Sequence, residues 1–270
     1  MQRTSTVAAF RAALDAERAE HRLVGLVPTM GALHAGHRSL VERAAAECDT
    51  VAVTVFVNPL QFDSAADLAA YPADIDADAA VAASAGASHL FAPGRAEMAS
   101  AVMRTSVHLE GAAEGLEGAA RPGHFDGVAT IVAKLFAIAG PCRAYFGDKD
   151  HQQVAVVRQL VADLCFPVEV VACPTVRAAD GLALSSRHAR LSPAARAAAT
   201  VLYKALQVGA AAAGPAEAEA AMAAAVAAEP MARLDYVASV PEGADGRRLY
   251  VAAWVGEVRL IDNLEVRTAR

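Results

Sequence analysis

The sequence predicts an α/β protein with a Rossmann-like parallel sheet and helices on both faces, plus a smaller C-terminal α+β domain with antiparallel strands. In the first part of the chain, short runs of β-branched residues alternate with longer segments of helical periodicity, a pattern typical of a parallel sheet. The run VAVTVFV at 51–57 is apolar on both faces, so we expect it at the centre of that sheet. After Pro174 the pattern changes to Ala-rich helical segments and three further apolar runs.

The elements follow from this pattern in chain order. In the first domain, strands are predicted at 23–27, 51–57, 88–91, 143–146 and 168–171, and helices at 37–47, 128–139 and 150–164. Ser192 before Pro193 predicts the start of a long helix, and a second helix follows Pro215. Antiparallel strands are predicted at 234–240, 249–255 and 258–261, with a turn at 242–246. We place the domains at residues 1–175 and 176–270.

Composition excludes several classes of protein. The formal net charge of −6 gives no field that would draw the molecule onto a polyanion, so we expect no nucleic-acid partner. No window reaches the roughly 20 strongly apolar residues that a membrane span needs, and charges interrupt any N-terminal signal sequence. The four cysteines form no C-x-x-C pair, which indicates reduced thiols and a cytoplasmic protein.

The most informative segment is PTMGALHAGHRSL at 28–40, which follows the first predicted strand and opens a helix. It contains the pattern H-x-G-H, formed by His34 and His37. A helix N-terminus has unpaired N–H groups and a partial positive charge, and two imidazoles at i and i+3 add donors directed at the same point. This arrangement favours a phosphate site.

Two alternatives apply to a bare H-x-G-H pattern: two unrelated surface histidines, or a zinc pair. Zinc sites usually place histidines at i and i+4 or have further ligands close in sequence, and neither cysteine nor carboxylate lies nearby. The position after a buried strand favours the nucleotide site.

The same segment resembles the HxGH signature of the nucleotidyltransferase superfamily, and VPTMGALHAGHRSLV resembles the pantothenate synthetase (pantoate–β-alanine ligase) family. Four further strings agree with that family in the same order: VTVFVNPLQF at 53–62, RPGHFDGVATIVAKLF at 121–136, YFGDKDHQQ at 145–153 and PTVRAADGLALSSRHARLS at 174–192. The resemblance covers nearly the whole chain. It implies an AMP-forming ligase that converts pantoate and ATP to pantoyl adenylate and pyrophosphate, and then joins β-alanine to give pantothenate and AMP.

The resemblance also implies which residues contact ATP. The expected catalytic residues, which act on the phosphates, are His34, His37, Lys149, Ser185, Ser186 and Arg187. The ATP site as a whole is expected to add Pro28, Thr29, Met30, Gly147, Asp150, Val176 and Leu184. Such residues would stabilise charge that builds on the phosphates without forming a covalent bond to them. Without the resemblance, Lys149 would be an ordinary solvated lysine and the Ser-Arg segment an ordinary helix cap.

The pantoate site implied by the family uses neutral amides, Gln61 and Gln153, with Met30, Phe62 and Val132 as apolar wall. A carboxamide can orient a carboxylate by hydrogen bonding, whereas a bidentate arginine would lower its nucleophilicity. Without the resemblance, these glutamines would be read as ordinary surface residues.

The remaining expectations concern the second substrate, the metal and the assembly. Asn58, Arg121 and His124 are expected near β-alanine, with RPGHF at 121–125 as a mobile lid. ATP chemistry implies Mg²⁺, with Asp78 as its expected ligand and Asp150 as a further candidate. We also expect a homodimer, and a C-terminal domain that closes over the ATP site.

The rival hypotheses are another nucleotidyltransferase of the same superfamily and a nucleotide-sensing protein without a second polar pocket.

Overall fold

The computed structural model describes residues 1–99, 103–243 and 246–267. The chain divides into two compact units, Met1–Pro174 and Thr175–Arg270. This division lies next to the boundary expected from the sequence. Each unit has its own apolar core, and we describe them separately.

The first unit contains a sheet of six parallel strands in the order β1-β4-β3-β2-β5-β6. The strands are β1 Gln2–Thr4, β2 Val24–Thr29, β3 Thr50–Val55, β4 His89–Phe91, β5 Cys142–Gly147 and β6 Val168–Cys173. The predicted parallel sheet is confirmed, and the apolar run at 51–57 supplies the interior strand β3. Strand β1, which has only three residues, was not predicted from the sequence.

Helices cover both faces of this sheet, as predicted. They are α1 Val7–Ala19, α2 Ala35–Glu47, α3 Ala65–Ala69, α4 Ile75–Ser84, α5 Arg95–Met98, α6 Leu116–Ala120, α7 His124–Ala139 and α8 His151–Asp163. Residues of α1, α7 and α8 share one buried apolar cluster, and residues of α2 and α4 share another. The two clusters correspond to the two faces of the sheet.

The order of the strands reverses at β2. From β2 the chain continues outward through β3 to β4, whereas β5 returns to the other side of β2 and continues to β6. The loops after β2 and β5 therefore leave the same sheet edge on either side of one crevice, which is where open α/β sheets bind ligands.

The second unit combines helices with a three-stranded antiparallel sheet in the order β7-β8-β9, as predicted. Its elements are α9 Pro193–Ala198, α10 Val201–Ala211, α11 Pro215–Ala227, β7 Ala232–Glu242, β8 Gly246–Val255 and β9 Val258–Arg267. The single long helix predicted after Ser192 is divided into α9 and α10. The predicted turn at 242–246 includes Ala244 and Asp245, which lie outside the described residues.

The core of this unit lies between α10, α11 and the sheet. Leu202, Leu206 and Met222 are fully buried there together with Leu249 and Val251. Across the three described ranges, no helix combines the length and the apolar character needed to cross a bilayer.

Candidate active site

His34 and His37 stand at the N-terminus of α2, directly after β2 and its loop. His34 is the N-cap, and its Nδ1 accepts a hydrogen bond from the backbone N–H of Gly36 at 3.1 Å. The backbone N–H of His34 in turn donates to Nδ1 of His37 at 3.3 Å, and the two ring centroids lie 4.2 Å apart. Since both Nδ1 atoms accept, each neutral ring carries its proton on Nε2 and can donate from there.

Both imidazoles are neutral near pH 7. Burial lowers the pKa of His34 to about 4, and the positive charge of Lys149 contributes in the same direction. Burial also lowers the pKa of His37 to about 3, with a further contribution from His34. The pair therefore supplies two neutral N–H donors at a helix N-terminus, where the partial positive charge favours an anion.

Asp78 fastens the loop that presents these histidines. Its Oδ2 accepts from the backbone N–H of Ala32 at 3.1 Å and its Oδ1 from that of Leu33 at 2.7 Å. Gly31 and Ala32 adopt positive φ values of 88° and 53°, and a Cβ on Gly31 would lie 2.8 Å from Asp78 Oδ2. The loop thus needs glycine at 31 and a carboxylate beside it.

This geometry disagrees with the expectation that Asp78 binds Mg²⁺. The carboxylate is 3% exposed, and both of its oxygens accept backbone hydrogen bonds. Among the residues that the structure describes, no group of three or more His, Cys, Asp or Glu side chains could hold a metal ion. We therefore assign no protein ligand to Mg²⁺ and derive no step through it.

Lys149 lies across the crevice from the histidines, in a 3₁₀ turn, Asp148–Asp150, that follows β5. Its Nζ is 3.4 Å from Oδ1 of Asp150, and its charge reaches both imidazoles. Strands β2 and β5 pair in parallel through Leu26 and Ala144, which places their following loops side by side. Of the other residues expected at ATP, Pro28 and Thr29 end β2, Met30 follows them and Gly147 ends β5.

The Gln61 side chain is held in a short 3₁₀ turn, Pro59–Gln61, after β3. Asn58 caps this turn: its Oδ1 accepts from the backbone N–H of Leu60, and its Nδ2 donates to Gln61 Oε1 at 2.9 Å and to the Gly127 carbonyl at 3.0 Å. Gln61 Nε2 lies 2.9 Å from the sulfur of Met30. Because Asn58 binds the oxygen of the Gln61 amide, the amide presents its N–H₂ group on the Met30 side.

The expectation of a mobile lid at 121–125 is wrong. Arg121 and His124 are buried, with exposures of 7% and 9%, and His124 is the first residue of α7. Both side chains bind the backbone oxygen of Gln61 at 2.9 Å. A polar, Gly-containing string suggested a loop, but its polar groups are paired inside the unit.

The remaining residues expected at pantoate come from three different segments of the chain. Gln153 is half-buried in the first turn of α8, Phe62 stacks edge-on against Tyr71, and Val132 is buried in α7. Sequence analysis missed Gln152, whose buried amide accepts from the backbone N–H of Glu117 and donates to the Glu114 carbonyl, each at 2.9 Å. The adjacent glutamines were the available signal, since neighbours on a helix point in different directions.

The second unit carries the other residues expected at ATP. Val176 and Leu184 are joined across a small hairpin, where the Leu184 N–H donates to the Val176 carbonyl at 2.9 Å. Ser185 caps the following 3₁₀ helix, Ser186–Arg190, through a hydrogen bond from the Arg187 N–H to its Oγ. The hairpin therefore leads directly into the Ser185, Ser186 and Arg187 cluster.

Comparison with known proteins agrees with this arrangement. The family model described as pantoate-beta-alanine ligase matches residues 2–265. A pantothenate synthetase of Thermus thermophilus is 52% identical, with 98% of this chain and 99% of the relative covered. One of Cereibacter sphaeroides is 51% identical, with 97% of this chain and 98% of the relative covered.

Solved structures show the same likeness. A crystal structure of pantothenate synthetase from Thermus thermophilus matches with a TM-score of 0.93 at 50% identity, covering 99% of this chain and 100% of that one. A pantoate-beta-alanine ligase from Francisella tularensis, complexed with beta-gamma ATP and beta-alanine, matches with a TM-score of 0.85 at 34% identity, covering 98% and 97%. The match of sequence and fold over nearly the full length shows that the chain belongs to the pantoate-beta-alanine ligase family.

Proposed function

We propose that this protein condenses pantoate with β-alanine to form pantothenate, consuming ATP through a pantoyl adenylate intermediate and releasing pyrophosphate and AMP. The observation that carries the proposal is the pairing of two chemically different groups at one sheet edge. The loops after β2 and β5 supply His34, His37 and Lys149, and the turn after β3 supplies the Gln61 amide. One set suits phosphates and the other suits a carboxylate that must stay nucleophilic.

In the first step, a pantoate carboxylate oxygen attacks the α-phosphorus of ATP. A new oxygen–phosphorus bond forms, and the bond from the α-phosphorus to the bridging oxygen breaks, so that pyrophosphate leaves. The Nε2–H groups of His34 and His37 and the ammonium of Lys149 stabilise the charge that moves onto the phosphate oxygens. Because the imidazoles are neutral in the ground state, they donate hydrogen bonds without holding ATP as a tight ion pair.

Gln61 and Gln153 orient the pantoate carboxylate and hydroxyl groups in this proposal. The N–H₂ group of Gln61 is directed by Asn58 towards the Met30 side, where it can donate to a carboxylate oxygen. Met30, Phe62 and Val132 form the apolar wall for the two methyl groups. In the second step the β-alanine amine attacks the acyl carbon of the adenylate, loses a proton and displaces AMP.

ATP requires contacts from the second unit as well. We propose that Val176, Leu184, Ser185, Ser186 and Arg187 bind ATP from the C-terminal domain, and that this domain closes over the nucleotide. Mg²⁺ enters as the companion of the ATP phosphates. Gly147 and Asp150 complete the nucleotide contacts from the β5 side.

The direct test is product analysis. Protein mixed with ATP, Mg²⁺, pantoate and β-alanine should release AMP in step with pantothenate, with one pyrophosphate for each. Omission of β-alanine should limit pyrophosphate release to about one equivalent per site. Accumulation of ADP and phosphate would overturn the adenylate mechanism, and AMP formation that ignores pantoate would favour another nucleotidyltransferase.

Variants test the assignment of the phosphate residues. Replacement of His34, His37 or Lys149 by Ala should slow adenylate formation by about 10²-fold or more, since each group acts on charge that develops in the transition state. The reaction of preformed pantoyl adenylate with β-alanine should slow less, because pyrophosphate has already left. Equal losses in both half-reactions would contradict the assignment.

The proposal also includes a homodimer in the cytoplasm. Cys48, Cys142, Cys165 and Cys173 are free thiols, which agrees with a reducing compartment. Light scattering at micromolar concentration should report twice the chain mass, and a monomer mass would refute the dimer.

A further inference from the structure

Arg121 and His124 converge on one atom, the main-chain oxygen of Gln61. Nη2 of Arg121 donates to this oxygen at 2.9 Å, and Nδ1 of His124 lies at the same distance from it. Both side chains are more than nine-tenths buried. Two buried donors on one backbone carbonyl form a rigid attachment, because neither donor finds water as an alternative partner.

The hydrogen-bond pattern fixes the state of His124. A carbonyl oxygen can only accept, so Nδ1 carries the proton, and Nε2 then accepts from Nη1 of Arg121 at 3.3 Å. Only the neutral imidazole can make both bonds. Burial, followed by the charge of Arg121, lowers the pKa of His124 to about 4, in agreement with this geometry.

The first turns of α7 hold the preceding peptide unit, Leu60–Gln61, from another side. The Gly127 carbonyl accepts from Nδ2 of Asn58, the residue that also binds the Gln61 amide oxygen. A Cβ on Gly127 would lie 2.1 Å from the Leu60 carbonyl oxygen, so the helix and the turn are in direct backbone contact. The segment 121–127 thus contacts the peptide units on both sides of the Gln61 Cα.

These partners leave little capacity for a substrate carboxylate. Both ring nitrogens of His124 are used within the cluster. Nε of Arg121 donates to Asp63 at 2.6 Å, and Glu117 lies 3.8 Å from its Nη1, so two carboxylates already face the guanidinium. A β-alanine carboxylate would be a third negative charge beside a guanidinium that already faces two.

We propose that Arg121 and His124 are positioning residues for pantoate: they clamp the main-chain oxygen of Gln61, set the direction of its side-chain amide and do not contact β-alanine. This rests on the proposed function. Loss of the clamp should impair the binding and orientation of pantoate, because a displacement of about 1 Å at a substrate-orienting group can cost on the order of 10²-fold in rate.

The main test compares His124→Leu with His124→Asn. Asn keeps a donor close to the position of Nδ1, whereas Leu retains volume but has no donor. In pantoate-dependent pyrophosphate release, His124→Leu should raise the pantoate KM about tenfold or more and leave the ATP KM within twofold. His124→Asn should recover most of the loss. Equal effects of Leu and Asn on the pantoate KM would overturn the clamp.

His108→Ala is the matched control. This histidine contacts α7 through Asp126, at 2.8 Å, but its side chain is 73% exposed and its ring is bonded to that carboxylate rather than to the Gln61 turn. The pantoate KM of the His108→Ala variant should stay within twofold of the wild-type value. Arg121→Lys provides a second variant if His124→Leu folds poorly. Lysine keeps the positive charge but lacks the planar guanidinium with its several N–H donors, so this variant should also raise the pantoate KM.

Two further measurements separate the clamp from other roles. In a Gln61→Ala background, His124→Leu should raise the pantoate KM by less than twofold more, because the clamp acts only through Gln61. With preformed pantoyl adenylate, the β-alanine KM of His124→Leu should match the wild type. A tenfold increase in the β-alanine KM, or additive effects with Gln61→Ala, would overturn the proposal. Absence of pantothenate from the wild-type reaction would instead refute the proposed function.

Discussion

At the scale of single residues, the site depends on which nitrogen of each histidine carries the proton. Backbone N–H groups donate to Nδ1 of His34 and His37, whereas Nδ1 of His124 donates to a backbone carbonyl. The first two rings therefore direct an N–H away from their own helix, towards the phosphate site. The third directs its N–H into the protein. This difference supports the phosphate-binding role proposed for His34 and His37 and the positioning role proposed for His124.

Long-range ¹H–¹⁵N NMR spectra can check these assignments. At pH 7 we expect His34 and His37 as neutral Nε2–H tautomers and His124 as the neutral Nδ1–H tautomer. At pH 5.5 all three should remain neutral, because their pKa values are about 4, 3 and 4. His108 is the internal control, since the nearby Asp126 raises its pKa and it should be protonated at that pH. A charged His34 or His37 at pH 5.5 would contradict the assignment.

The same groups make folding stability depend on pH. An unfolded histidine has a pKa of about 6.5, so below that pH the unfolded chain binds protons that buried His34, His37 and His124 do not. Their contribution to stability is complete above about pH 6.5 and is lost as the pH falls towards 4 and 3. Urea midpoints should fall as the pH is lowered from 7 to 4, and His124→Asn should make this dependence on pH shallower. A slope unchanged in that variant would contradict the role of His124.

Asp78 was expected to bind Mg²⁺, but its carboxylate accepts hydrogen bonds from the loop before α2. Its two bonds to the loop before α2 predict that Asp78→Ala loosens the presentation of His34 and His37. We expect a loss of about 2 kcal/mol or more in the free energy of unfolding, together with slower adenylate formation. Asp76→Ala is the matched control in the same helical turn, because that carboxylate is 82% exposed and should change stability by less than about 0.5 kcal/mol. Equal effects of the two substitutions would refute the role of Asp78.

At the scale of elements, the reversal of strand order at β2 explains why residues distant in sequence meet. The loops after β2 and β5 carry His34, His37 and Lys149, and the turn after the neighbouring strand β3 carries Gln61. Helix α7 then packs its first turns against that turn. The sheet therefore brings together the residues proposed to bind phosphate, and α7 fixes the position of the Gln61 amide.

The contact between α7 and the Gln61 turn predicts that a Gly to Ala substitution within this helix lowers stability instead of raising it. Gly to Ala inside a helix normally gains about 1 kcal/mol, but a Cβ on Gly127 would meet the Leu60 carbonyl. We expect Gly127→Ala to destabilise the protein by about 1–3 kcal/mol and to raise the pantoate KM. Ala137→Gly, at an exposed position of the same helix, should lower stability by about 1 kcal/mol without changing that KM. A stabilised Gly127→Ala variant would contradict this packing.

Local pattern was sufficient for strands β2 to β6 and for helices α2, α7 and α8, since buried strands and amphipathic helices leave a period in the sequence. Helices α1 and α3 to α6 were not predicted. Local pattern was also insufficient for β1, whose three residues show no period, and for Arg121, where a string of polar and small residues suggested a loop. The partners that bury Arg121 are Asp63 and the Gln61 carbonyl, about sixty residues earlier in the chain. Burial that depends on such distant partners cannot be read from local composition.

At the scale of the whole molecule, the expected ATP contacts are divided between the two units. His34, His37 and Lys149 belong to Met1–Pro174, and Ser185, Ser186 and Arg187 belong to Thr175–Arg270. Each unit has its own apolar core, so each can move as a body without losing it. A ligand that contacts both units can favour one arrangement over another only through contacts that differ between the arrangements.

Arg187 is the residue most suited to such a differential contact, because a guanidinium can bind phosphate oxygens with two parallel hydrogen bonds. We expect an ATP analogue with a methylene bridge between the α- and β-phosphates to compact the wild-type protein in small-angle X-ray scattering. Arg187→Ala should bind the analogue more weakly and show no compaction at saturation, while its affinity for pantoate through Gln61 and Gln153 is retained. Arg190→Ala, an exposed arginine of the same 3₁₀ helix, is the matched control and should compact like the wild type. Compaction that persists in saturated Arg187→Ala would show that closure does not depend on this side chain, and the second unit would then act mainly as a structural support.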